Sequence, residues 1–284
     1  MKTEMIFGIE NVSLIIAQSV ALKWTTVKTL KNKKSKRRKN MIKIKNVEVM
    51  GWEAAIRGMR NPMNSWEKSD SFCSVNDKCH ECSDNQKCDF YFSERATGTP
   101  YRNRFSEDFH YIGPNDLTLM KKLCNAGTDH RKFMRMITVY VDITAPLYWW
   151  KEMETYKVGT VVNSCSTMHK IHAKEFAIDD FSHEHLLGDT QKYNGYVSTA
   201  VLACVIGALN EFRTLYLETK DKKYWWQMIQ LLPGSYNQKR TLMLNYEVLA
   251  NMYKSRKNHK LDEWREFCDW VETLPYAKEL IINK

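Results

Sequence analysis

The 284-residue sequence has no internal repeat and no low-complexity segment, which sets aside solenoid and fibrous architectures. Its body is also short of net charge. The formal charge is +10, but residues 1–40 hold ten Lys/Arg and two Glu, +8 of that total, and leave only +2 for residues 41–284. Binding along a nucleic-acid duplex needs a cationic surface on the folded part, so nucleic acid is not an expected partner. An export signal is missing too. The apolar run IIAQSVAL, within Asn11 to Leu22, is too short to span a bilayer, and its positive region follows it instead of preceding it. A cytoplasmic protein without a membrane partner is expected. What remains is an ordinary globular composition, 43% hydrophobic and 27% charged, with length enough to bury a substantial core.

The first forty residues stand apart. The basic run Lys31 to Asn40 ends at Met41, where an alternating strand pattern begins. Every residue of that run can be encoded by purine-rich codons, and Arg37-Arg38 as AGG-AGG would resemble a ribosome-binding site ahead of an ATG at Met41. Residues 1–40 are expected to be a translated leader or a disordered basic extension, and residues 41–284 a single domain.

Within that domain the pattern is α+β. Ile42 to Val49 alternates like a strand, and Trp52 to Gly58 opens a helix. Asn115-Asp116 can cap a helix running to Asn125 and ended by Gly127. Arg131 to Thr144 reads as a long strand, and Pro146 as the start of a short helix. Tyr196 to Thr219 and Lys222 to Leu232 read as helices, Asn237 to Leu244 as a strand, Tyr246 to Lys257 as a helix, and Leu261 toward Leu280 as a last helix. Trp149-Trp150 and Trp225-Trp226 suit core or subunit contacts better than base stacking.

Four of the eight cysteines, Cys73, Cys79, Cys82 and Cys88, fall within sixteen residues as C-x5-C-x2-C-x5-C, inside a polar insertion at about 71–110. Such a segment has little apolar reason to fold, and tetrahedral thiolate ligation of zinc would supply the energy. An iron–sulfur cluster would use the same four thiolates; disulfides fit less well with a cytosolic chain. Cys124, Cys204 and Cys268 sit in helical, partly apolar contexts expected to make them inert core thiols. Cys165 lies in a polar loop with His169 and His172 nearby, where a small turn residue or a Cys–His thiolate are the two readings, the former preferred. Asp179-Asp180 and His183-Glu184-His185 read as a solvated loop.

Two stretches carry the functional signal. Ala145 to His172 runs from a strand through a proline start and an aromatic turn into a polar Gly/Asn/Ser/Cys/His loop, a setting in which ligand chemistry concentrates. Leu232 to Trp264 carries Asn245, Asn251 and Arg256, whose offsets of six and five fan the side chains around one helix. Together they resemble the flavin-dependent thymidylate synthases. Ala145-Pro146-Leu147-Tyr148 fits that family's Ala-Pro-aromatic entry, and Glu152 stands in the Gln place of its Gln-x-x-Arg-His-Arg motif. Thr155-Tyr156-Lys157 replaces Arg-His-Arg. Asn163 and Ser166 keep two positions of the next motif if one residue is inserted, with Met168-His169 in place of Arg-Tyr. Leu232-Pro233, Asn245, Asn251 and Arg256 follow the family spacing, and Asp129-His130 fits the flavin-side histidine. Two further family arginines are Ile229 and Glu247 here, and Lys157, Lys239 and Arg240 could provide substitute charge with different geometry.

The resemblance implies a thymidylate synthase-like α+β fold, with an antiparallel or mixed central sheet flanked by long helices, assembled as a homotetramer. It implies FAD-mediated reductive methylation of a uracil nucleotide, with a pyrimidine nucleotide and a folate as partners; a catalytically degenerate nucleotide-binding or regulatory module is the alternative. FAD would be held by His130, Asn245, Asn251 and Lys157. Glu152, Ser166 and Arg256 would contact substrate, with Arg256 also catalytic, facing the pyrimidine ring.

Overall fold

The computed structural model describes residues 41–73, 110–188 and 197–283; the basic N-terminal residues and Cys79, Cys82 and Cys88 lie outside them, and of Cys73 only the backbone is described. Chain order begins with β1 (Lys43–Met50), α1 (Trp52–Arg60), a two-residue β2 (Phe72–Cys73) and β3 (His110–Tyr111), α2 (Pro114–Asn125), β4 (Thr138–Pro146) and α3 (Leu147–Met153). Then come β5 (Val161–Ser164), α4 (Ser198–Thr219), α5 (Lys222–Leu231), β6 (Asn237–Asn245), α6 (Tyr246–Arg256) and α7 (Asp262–Glu272). Four strands form an antiparallel sheet in the order β1-β4-β6-β5, and β2 pairs with β3. The α+β class and its antiparallel sheet are thus as expected.

The sheet is covered on one face. Alternation along β4 turns Val139, Val141, Ile143 and Ala145 inward, and β6 adds Leu242 and Leu244. These pack on Trp149, Trp150, Tyr246, Leu249, Trp264 and Phe267 from α3, α6 and α7. Each such side chain contributes about 1.5–3 kcal/mol on burial. The other face is polar at its centre. Asp142 accepts from Lys239 at 2.8 Å, Thr241 at 2.5 Å and Asn46 at 2.8 Å, and these donors, Lys239 first, hold its carboxyl down at about 2. The joint from β1 into α1 needs glycine. Gly51 has φ +90°, and a Cβ there would lie 2.1 Å from the carbonyl oxygen of Met136.

A second apolar cluster, Ile171, Phe176, Phe181, Leu202, Leu209 and Met228, sits where α4 and α5 meet the segment after β5. It covers little of α4. That helix is apolar chiefly in its first half, Ala200 to Leu209, and has mean hydropathy 1.4 over its most apolar stretch, of which 11% is buried. By length and composition alone it is long and apolar enough to cross a membrane.

Several local expectations are corrected. The strand begins at Thr138, not Arg131, because Arg131–Arg135 is a 3-10 turn. Its two arginines lie on one side and both pair with the buried carboxylate of Glu247. Asp116 does not cap α2, which starts at Pro114; it is buried and bonded to Arg60, Ser69 and Ser71. The last helix stops at Glu272, since Pro275 cannot continue it, and resumes as a π-helical turn at Lys278–Ile282. The polar loop contains the edge strand β5. Cys124 and Cys268 are buried, but Cys204 is exposed on uncovered α4; burial foremost pushes the Cys268 thiol up to about 12. The 178–185 segment is anchored, not freely solvated, with Phe181 and Ser182 buried.

Candidate functional site

The two stretches meet in space. Pro146 ends β4 and turns the chain into α3, whose paired tryptophans are drawn into the core and so aim Glu152 toward the end of α6. There Arg256 places Nη1 2.6 Å from Glu152 Oε2 and donates from Nε to the Tyr156 hydroxyl at 2.9 Å. Its guanidinium lies 4.8 Å from the Trp264 ring, which places cation and aromatic face in contact range. Trp264 Nε1 also donates to Glu152 Oε2 at 3.0 Å, and His259 Nε2 lies 3.5 Å from it. Glu152 is therefore the hub that joins Arg256, Trp264 and His259, and two of the three expected substrate-contacting residues, Glu152 and Arg256, touch.

Asn245 has a structural assignment as well. Its Oδ1 accepts from the backbone of Val248 at 2.9 Å and so caps α6. Its Nδ2 donates to the carbonyls of Val158 and Gly159 at 3.2 and 3.1 Å. Gly159 has φ +63°, and a Cβ there would stand 2.8 Å from Asn245 Nδ2; the loop between α3 and β5 is thereby clamped on the start of α6. Asn251, on α6, and His130, just before the Arg131–Arg135 turn, are exposed. Asn251 accepts from Arg131 at 3.3 Å, and Arg131 also reaches Glu247 at 3.2 Å. Burial opposes ionisation of Glu247, but Arg135 and Arg131 outweigh it and hold the carboxyl below its ordinary range. Ser166 is exposed and accepts from the backbone of Met168 and His169 at 3.1 and 2.8 Å, as a turn residue does. Cys165 is exposed, with its carbonyl bonded to Gln238 at 2.6 Å.

Beside this cluster opens a cavity of about 310 Å³, lined by Trp150, Glu154, Tyr156, Lys157, Val162 and Arg240 among others. Lys157 is the one expected site residue in its lining. Arg240, one of the cations that could replace the family's missing arginines, lines it too, whereas Gln238 beside it was not expected. They lie on the inward face of β6, where Leu242 and Leu244 follow them. An arginine and a glutamine at core-facing positions of a strand were the available signal, because buried polar groups demand partners. Among the described residues no group of three or more His, Cys, Asp or Glu could hold a metal ion.

No protein-family model matches the sequence, and no curated protein matches it. Solved structures do share the fold. A flavin-dependent thymidylate synthase from Helicobacter pylori, in complex with FAD and dUMP, superposes with a TM-score of 0.53 at 15% identity, over 84% of this chain and 97% of the other. A second structure of the Helicobacter pylori protein with FAD and dUMP gives the same score and identity over 86% and 99%. A UMP/dUMP methylase from Streptomyces cacaoi, bound with 5-bromo-dUMP, reaches a TM-score of 0.44 at 13% identity. At such identities the likeness is one of fold: the chain folds like a flavin-dependent thymidylate synthase.

Proposed function

We propose that the chain is a flavin-dependent enzyme that modifies a uracil nucleotide, by reductive methylation of the dUMP-to-dTMP kind with a folate as carbon donor. The observation that carries this is the junction of Glu152, Tyr156 and Arg256 beside an open cavity with aromatic and cationic lining. The fold is shared with a protein crystallised with FAD and dUMP, which supports the same ligand classes here. The donor set suits them. Lys157 is exposed and makes no ion pair among the described residues, as a phosphate partner should be. His130 and Asn251, both exposed, would add flavin contacts through their donor and acceptor atoms, while Asn245, buried and bonded to Val248, Val158 and Gly159, would hold the loop between α3 and β5 in place. When bound, the flavin supplies the hydride chemistry. The chain's own part is to orient: Glu152 and Tyr156 fix the guanidinium of Arg256, which then faces charge developing on a ring oxygen.

The test is a pair of variants titrated with FAD and with dUMP. Asn251→Ala, which removes a neutral hydrogen-bonding group, should weaken FAD binding several-fold. Arg256→Ala should leave FAD binding nearly intact and weaken dUMP binding by about tenfold or more, the scale of a lost charged hydrogen bond. If neither ligand binds the parent protein, the assignment is wrong.

One observation favours the alternative of a degenerate binding module. Glu247, where the resembling family has an arginine, takes up Arg131 and Arg135 internally. Absence of flavin absorbance in the purified protein would select that alternative.

The quaternary part of the proposal is a homotetramer, supported by the uncovered apolar surface of α4. Light scattering of detergent-free protein at micromolar concentration should give about four times the 33.5 kDa chain mass, and Leu209, already buried within the chain, should matter less to assembly than exposed Val201. A monodisperse monomer would count against it.

A further inference from the structure

The cavity beside β5 contains an arginine held from several sides, and its anion is the loosest of those contacts. The Arg240 guanidinium lies 4.5 Å from the Trp150 ring centroid. Its Nε donates to Gln238 Oε1 at 2.9 Å, and the Gln238 amide nitrogen is tied to the Cys165 carbonyl at 2.6 Å, which leaves the amide oxygen for Arg240. Its Nη1 donates to Glu154 Oε1 at 2.5 Å. The Arg240 side chain is only 11% exposed, whereas that of Glu154 is 54% exposed, and the Glu154 carboxylate has no other partner among the described residues. Lys157 adds a second cation to the same lining.

Ion pairs with a solvated member contribute little, so Glu154 is easily displaced. A phosphate offers Arg240 and Lys157 several acceptor oxygens in place of one carboxylate oxygen. The cavity, at about 310 Å³, is at the small end of ligand sites and suits the phosphate end of a ligand better than a whole dinucleotide. We infer that this cavity takes a phosphate monoester, with Arg240 and Lys157 as its cations and Glu154 as a resident carboxylate that leaves Arg240 when the phosphate enters. The inference rests on the proposed nucleotide and flavin chemistry for its choice of ligands. The monoester belongs either to the uracil nucleotide or to a flavin mononucleotide, two sources of one chemistry.

Calorimetric titration of the full chain at low salt separates the cases, with dUMP, deoxyuridine, FMN, riboflavin and inorganic phosphate as probes. Glu154→Gln keeps the shape of an exposed side chain and removes its charge. It should tighten dUMP or FMN, and inorganic phosphate, by up to about fivefold, the scale of a surface ion pair, and leave deoxyuridine and riboflavin unchanged. The monoester whose affinity moves identifies the source. Arg240→Lys, checked for native circular dichroism, should weaken that same monoester by about tenfold. Unchanged or weaker binding of every phosphate probe by Glu154→Gln overturns the inference; if dUMP or FAD still binds the parent protein, the proposed function survives it. Failure of all probes with the parent protein overturns the inference, and failure of FAD to bind as well overturns both.

Discussion

Asp116→Ala is expected to lower the stability of the fold by about 3–5 kcal/mol, because it leaves Arg60 charged in the interior without its carboxylate. Asp116 is 0% exposed. It accepts from Arg60 Nε and from the hydroxyls of Ser69 and Ser71, each at 2.6 Å, and from the Ser71 backbone at 3.2 Å. Burial pushes its pKa up, yet the two serines and Arg60 prevail and the carboxyl titrates below its ordinary value. Arg60 in turn donates to the carbonyls of Ser65 and Lys68 at 3.0 and 2.9 Å, so the segment after α1 is organised around this pair. Urea unfolding should show the midpoint lowered by on the order of 1–2 M at an unchanged slope. Asp116→Asn, which keeps shape and some acceptor capacity, should fall between. A loss under about 1 kcal/mol for the alanine variant would show the pair to be replaceable by water.

Trp264→Ala should cost a similar amount, about 3–5 kcal/mol, the range for deleting a fully buried aromatic, and should also disturb the site. Trp264 is fully buried, 4.7 Å from Trp149 and 5.6 Å from Phe267 between ring centroids. Its outer face supports the Arg256 guanidinium, and its indole N–H bonds Glu152. Trp264→Phe separates the two effects. It fills most of the volume and so keeps most of the stability, but it removes the donor to Glu152. Its expected signature is a modest midpoint change together with nucleotide affinity lowered by several-fold, the worth of one hydrogen bond to a charged group. Equal stability loss in the phenylalanine and alanine variants, with affinity untouched, would confine Trp264 to packing.

The elements that local pattern decides were legible in the chain. β-branched alternation located β4, and the helix expected from Tyr246 begins there as α6. What escaped depended on partners distant in sequence. Arg131 and Arg135 leave the strand because Glu247, more than a hundred residues away, takes both. The edge strand β5 has every residue exposed, so it lacks the alternation that announces a half-buried strand, and its ladder to β6 alone defines it. At the site, the meeting of Glu152 with Arg256 follows from the aligned motifs. The bond that sets Arg240 against Gln238 and Trp150 does not, because it depends on Gln238 being tied to the distant Cys165 carbonyl. Cys204 misled because an apolar helix reads as buried whether or not anything covers it.

The two-residue ladder of β2 and β3 joins Cys73 directly to His110, so the thirty-six residues numbered 74–109 depart from and return to a single point, beside the Asp116 pair. Closing such an excursion costs only logarithmically in its length. The ladder thus fixes where the chain leaves and rejoins the described fold, so the number of residues between those two points can change at little cost in closure entropy.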